Sequence, residues 1–110
     1  MRYTEIPMSR LETLSAMLSQ DPGNTFARYG LAMEFANQGR FEESVAEYGT
    51  LLERDPNYAA AYYHGGQALE RLGRVEEARD WYERGIQVTG RNGDAHTQSE
   101  LQAALDLLPI

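Results

Sequence analysis

Part of this chain repeats itself at a spacing of 34 residues, and that spacing narrows the possible folds more than any other feature. Gly39-Arg40-Phe41-Glu42-Glu43 returns 34 positions later as Gly73-Arg74-Val75-Glu76-Glu77. Ala27 matches Ala61, Tyr29 matches Tyr63 and Tyr48 matches Tyr82 in the same register. Asp21-Pro22 and Asp55-Pro56 are separated by the same distance. A period of this length marks a supersecondary unit that cannot bury its apolar face alone and must stack on its neighbours.

Each unit reads as two helices. Asn24 suits an N-cap, and the helix that follows runs to about Gln38, with Gly39 just past its end. The next helix starts near Phe41, with Glu42 and Glu43 at the positive end of its macrodipole. It stops before Asp55-Pro56, because proline restricts the residue before it and cannot continue the helix. The second unit predicts helices over 58–72 and 75–88, then a turn over Thr89-Gly90-Arg91-Asn92-Gly93.

Helix is also expected outside the pair. Ser9-Arg10-Leu11-Glu12 has capping-box form. Leu11, Leu14, Met17 and Leu18 then make an apolar stripe that ends at Gln20-Asp21-Pro22. Asp94 can cap a last helix whose Leu101, Ala104, Leu105 and Leu108 share one face, ending at Pro109. A stacked array exposes apolar faces at both ends, and these two helices are placed to cover them. The expected division is a tail over 1–8 and one domain over 9–108. That domain holds a half-repeat helix (9–20), two repeats (25–58 and 59–92) and a capping helix (94–108).

The period, the glycine at each hairpin turn and the Asp-Pro terminators resemble the tetratricopeptide repeat, in the form of a small bacterial-type protein. The resemblance covers residues 9–108 and is strongest over 25–88. It implies an all-α fold, a right-handed superhelix of tandem helical hairpins with about six antiparallel helices. The family's small-residue positions fall on Ala32 and Gly66, on Ser44 and Ala78, and on Leu51 and Gly85. Its aromatic position falls on Tyr48 and Tyr82. The large residue early in the first helix is Arg28 in one unit and Tyr62 in the other, and the usual leucine is Leu31 in one and Gly65 in the other.

Members of this family hold extended peptides or helices on a concave face lined by the first helix of each repeat. By position the resemblance implies groove residues Phe26, Tyr29, Met33 and Asn37, then Ala60, Tyr63, Gln67, Glu70 and Arg71. The residues give their own reason to look there. Ala27, Leu31 and Phe35 form one apolar stripe on the first helix, and Phe26, Tyr29 and Met33 form a second. One stripe suffices to pack a hairpin, so the second must be covered by something else. Tyrosine and methionine suit an adaptable recognition surface. The basic clamp by which some members grip a C-terminal carboxylate is missing, since Tyr29 and Met33 occupy its lysine and asparagine positions. Arg28 and Arg71 remain as single cations. Gly65, inside a helix, leaves room either for a bulky neighbour such as Tyr48 or Trp81 or for a slot beside Tyr63.

Composition excludes several function classes. The 110 residues carry 10 Lys or Arg against 17 Asp or Glu, a formal charge of -7. Such a chain repels phosphate backbones and anionic lipid, so neither nucleic acid nor membrane is an expected partner. Without cysteine there is no disulfide, thiolate metal site or cysteine nucleophile. The N-terminus lacks the continuous apolar run of a signal peptide, and no stretch approaches the roughly 18 apolar residues of a membrane span. The expectation is a soluble cytoplasmic protein. His64 and His96 lie in different helices and read as surface or helix-end residues, and Glu42, Glu43, Glu76 and Glu77 recur with the repeat as a solvated outer face. No constellation points to catalysis, a metal or a cofactor. The expected activity is binding of an unidentified protein or peptide in the concave groove. The alternative is a homodimer built through Met17, Leu18, Leu105 and Leu108 of the terminal helices.

Overall fold

The computed structural model describes residues 9–110, so the expected tail over 1–8 lies outside the described residues. Six helices follow in order: α1 (Arg10–Gln20), α2 (Thr25–Asn37), α3 (Phe41–Arg54), α4 (Ala59–Arg71), α5 (Val75–Asn92) and α6 (Ala95–Asp106). No strand occurs among the described residues.

The local signals act as chemistry dictates. Ser9 Oγ accepts from the Glu12 N–H at 3.1 Å, and the Glu12 carboxylate accepts from the Ser9 N–H in return. Asn24 and Asp94 accept from the N–H groups of Ala27 and Thr97, closing the first turns of α2 and α6. Gly39 and Gly73 both take φ +76°, a left-handed conformation that costs glycine nothing. The next N–H then returns to the preceding helix, Arg40 to the Phe35 carbonyl and Arg74 to the Leu69 carbonyl. At the Asp-Pro terminators, Asp21 and Asp55 each accept from the N–H two residues on.

Each helix packs on the next, and alternate helices α2, α4 and α6 also touch, so these three share one side of the array. The main core joins α2 to α6 and contains Ala32, Tyr48, Leu51, Tyr62, Leu69, Tyr82 and Leu101. Small residues let the helices close: Ala32 and Ala78 are fully buried, and Ser44 Oγ donates to the Ala32 carbonyl at 2.7 Å. A smaller core at the first end sets Leu14 of α1 against Ala27 and Leu31, with Phe35 at its edge. The first apolar stripe of α2 is thus covered by α1. At the other end, fully buried Leu101 anchors α6 against Gly85. Truncating a leucine so placed costs about 2–5 kcal/mol.

Two expectations need correction here. The stretch 89–93 is not a turn, because α5 continues to Asn92 and ends on Gly93 at φ +72°. No Asp-Pro stops it, and Thr89 stays in helix with its hydroxyl donating to the Gly85 and Ile86 carbonyls. The dimer face proposed for the terminal helices is also largely used within the chain. Leu108 is buried, Leu105 packs against the main core and Leu18 against the first-end core, which leaves Met17 exposed.

Candidate peptide-binding groove

The shared side of α2, α4 and α6 carries two adjoining clefts. The first, about 520 Å³, opens between the C-terminal halves of α2 and α4. Met33, Ala36 and Asn37 line one wall, Gln67, Ala68 and Arg71 the other, with Phe41 and Tyr48 of α3 also contributing. The second, about 400 Å³, lies between α4 and α6 and is lined by Tyr63, Gln67, Glu70, Glu100, Ala103 and Leu107. Gln67 and Glu70 border both, so the two clefts adjoin across α4.

Beneath the first cleft is an aromatic cluster. The Tyr29 ring lies 5.2 Å from Tyr58, 6.0 Å from His64 and 6.1 Å from Tyr48, centroid to centroid. His64 meets Tyr63 edge to face at 5.2 Å. Burial pushes the His64 pKa below its ordinary value, and Glu100 across on α6 acts in the opposite sense. Burial likewise pushes the Tyr29 hydroxyl up, with Tyr58 adding to the shift. The imidazole is therefore held toward its neutral form and the phenols stay protonated near neutral pH. Tyr82 is fully buried and donates to Glu70 at 2.5 Å, so burial first and this bond second raise its pKa.

The cations are placed differently from one another. Arg28 donates to Glu47 at 2.8 Å and to the Pro22 carbonyl at 3.1 Å. Tyr62, its counterpart one repeat later, donates to the Pro56 carbonyl at 2.7 Å. Two unlike residues thus tie α2 and α4 to equivalent prolines. Arg71 instead lies 4.7 Å above the Phe41 ring, at the edge of the first cleft.

A tetratricopeptide repeat family model matches residues 29–96, well over half of the chain. The chain belongs to the tetratricopeptide repeat family. It is 27% identical over 95 residues to a TPR repeat-containing protein of Pseudomonas aeruginosa, covering 86% of this chain and 90% of that one. A tetratricopeptide repeat domain protein from Salinibacter ruber, solved by solution NMR, is 40% identical with a TM-score of 0.72 over 77% of this chain and 86% of that one. The TPR2B domain of yeast Sti1, solved in complex with pHsp70, superposes with a TM-score of 0.81 over 86% of this chain and 76% of that one. Its identity is 17%, so that likeness concerns the tetratricopeptide fold alone.

Against the groove positions expected from the family, Met33, Asn37, Gln67 and Arg71 line the first cleft, and Tyr63 and Gln67 the second. Phe26 and Tyr29 line neither. Phe26 sits in the first turn of α2, away from the cleft at its far end, and is 70% exposed. Tyr29 is drawn under the groove by the Tyr48, Tyr58 and His64 rings. His64 differs most from expectation: it is a half-buried cleft residue in the middle of α4, not a surface or helix-end one. Its signal was present, since it directly follows Tyr63 within an apolar run. Ala103 and Leu107 were missed because only the docking of α6 beside α4 brings them to the groove. Gly65 faces Trp81, which overturns the slot beside Tyr63. Among the described residues, no group of three or more His, Cys, Asp or Glu is placed to hold a metal, and no helix is long and apolar enough to cross a membrane.

Proposed function

We propose that this protein is a non-catalytic interaction module that holds an extended peptide or partner helix in the groove across α2, α4 and α6. The observation that carries the reading is the adjacency of two clefts that share Gln67 and Glu70, with Met33 and Ala36 in one and Ala103 and Leu107 in the other. An apolar floor with a few polar groups around it favours ligand binding. The polar groups are two carboxamides, two phenols, one guanidinium, an imidazole held toward neutrality and two carboxylates, Glu70 being engaged with Tyr82. That set suits hydrogen bonding to main chain better than proton transfer. The Sti1 domain, of the same fold, was solved in complex with pHsp70, which supports a binding role in general terms.

The test is selection from a random peptide library displayed on phage, followed by NMR mapping of a selected peptide. Shifts centred on Met33, Gln67 and Ala103, with binding abolished by Ala36→Trp or Ala103→Trp, are the expected result. Peptides that shift only the outer faces of α3 and α5, and bind both tryptophan variants normally, would overturn the reading.

A second reading, self-association, is supported by Leu107, which is strongly exposed just past the end of α6. Light scattering after size exclusion separates the two. A dimer abolished by Leu107→Asp favours self-association, and a monomer at high concentration rejects it.

A further inference from the structure

The chain contains no lysine, so every cationic side chain apart from histidine is an arginine. Of the nine described arginines, six form ion pairs: Arg10, Arg28, Arg40, Arg74, Arg79 and Arg84. Arg54, Arg71 and Arg91 have no carboxylate partner among the described residues, and only Arg71 of these three lines a cleft. It rests on the Phe41 ring, which shields one face of the guanidinium and leaves its rim of N–H donors unused. The one other charged group lining that cleft, Glu70, accepts from Tyr82. An acidic chain thus keeps a pre-placed, unneutralised cation at the mouth of the first cleft. At physiological ionic strength charges are screened over about 8 Å, so the many outer-face carboxylates weigh little there.

We propose that Arg71 is the specificity-determining group of this cleft and receives the side-chain carboxylate of an Asp or Glu within an extended partner peptide. A planar guanidinium with free donors matches a carboxylate in bidentate fashion, as a lysine would not. The apolar side chain next to that acidic residue rests on Met33 and Ala68, and the carboxamides of Asn37 and Gln67 pair with the main chain around it. An internal residue is favoured over a chain terminus, because the second cleft adjoins the first across Gln67 and Glu70 and gives the peptide beyond its acidic residue a place to lie. This assignment rests on the reading of the groove as a peptide site.

The same phage selection tests it, because displayed peptides fused through their C-terminus offer no free terminal carboxylate. Selected sequences are expected to share an Asp or Glu beside an aliphatic or aromatic residue. A synthetic, C-terminally amidated form of the best peptide is expected to bind Arg71→Ala roughly 10- to 100-fold more weakly, the range of a charged hydrogen-bonded contact. Arg71→Lys should recover part of that loss. Changing the peptide's Asp or Glu to the amide should cost as much in wild type and almost nothing further in Arg71→Ala. Peptides that map to the cleft yet lack an acidic residue, or bind Arg71→Ala unchanged, overturn the Arg71 assignment and leave the groove reading intact. Peptides that map outside the cleft overturn both. Melting curves of the variants establish that they are folded.

Discussion

The indole of Trp81 occupies the space a side chain on residue 65 would need, its ring 2.1 Å from where a Cβ on Gly65 would stand. Helix propensity alone makes Gly65→Ala stabilising by roughly 1 kcal/mol. Packing reverses that sign, because a half-buried, rigid ring must move and overpacking costs about 1–3 kcal/mol. Gly65→Ala is therefore expected to lower stability, with Trp81→Leu partly restoring it in the double variant. Denaturant unfolding of the two single variants and the double variant measures both effects.

Tyr48 and Tyr82 are repeat equivalents, both buried, with different hydroxyl environments. The Tyr82 hydroxyl donates to Glu70, while that of Tyr48 has no protein partner among the described residues and faces the first cleft. Tyr82→Phe is expected to cost about 1.5–3 kcal/mol, the scale of a hydrogen bond to a charged group. Tyr48→Phe is expected to stay within about 0.5 kcal/mol. Equal losses from the two substitutions would contradict the assigned hydrogen bond. Thermal melts resolve the difference, since each kcal/mol moves the midpoint by roughly 4–8 °C in a domain near this size.

His64 gives stability a pH dependence with a definite sign. Its folded pKa lies below the ordinary 6.5 because burial disfavours the cation. Between the folded and unfolded values the unfolded chain binds more protons, so stability rises with pH there. The contribution is complete above 6.5 and is lost as pH falls from 6.5 through the depressed folded value. Glu100 faces His64 from α6 and limits the shift, while the Tyr29 hydroxyl beside it, its pKa raised by burial, stays neutral throughout this range. His64→Gln is expected to flatten the melting temperature between about pH 8 and about pH 5. Below that range Glu43, Glu77 and Asp94, whose pKa values are lowered by hydrogen bonds, add an acid loss of their own in both proteins.

Tyr29 and the cleft carboxamides should separate stability from binding. Tyr29→Ala removes a ring packed on Tyr48, Tyr58 and His64 and is expected to cost about 2–4 kcal/mol. Asn37→Ala and Gln67→Ala touch exposed side chains and should change stability by less than about 0.5 kcal/mol. Binding of a groove-selected peptide should fall in the carboxamide variants. Stable variants with unchanged peptide affinity would remove Asn37 and Gln67 from the site.

The sequence by itself determined the architecture, because the signals that set it act within a few residues. The capping box at Ser9 and Glu12, the caps at Asn24 and Asp94 and the left-handed glycines at 39 and 73 each close a local backbone hydrogen bond. A spacing of 34 residues then leaves stacked hairpins as the way to bury what those helices present. Tertiary structure decided whatever depends on distant partners. The chain alone does not state that Arg28 meets Glu47, that Tyr29 is drawn under the groove, or that Trp81 fills the place of a side chain at 65. The extra turn of α5 belongs with these, since Thr89 and Gly90 look like punctuation until α6 packs beside them and Gln98 reaches the Ile86 carbonyl. Arg28 and Arg71 appear alike as lone cations in the sequence. Only the fold gives the first a carboxylate and leaves the second above an aromatic ring at the mouth of a cleft.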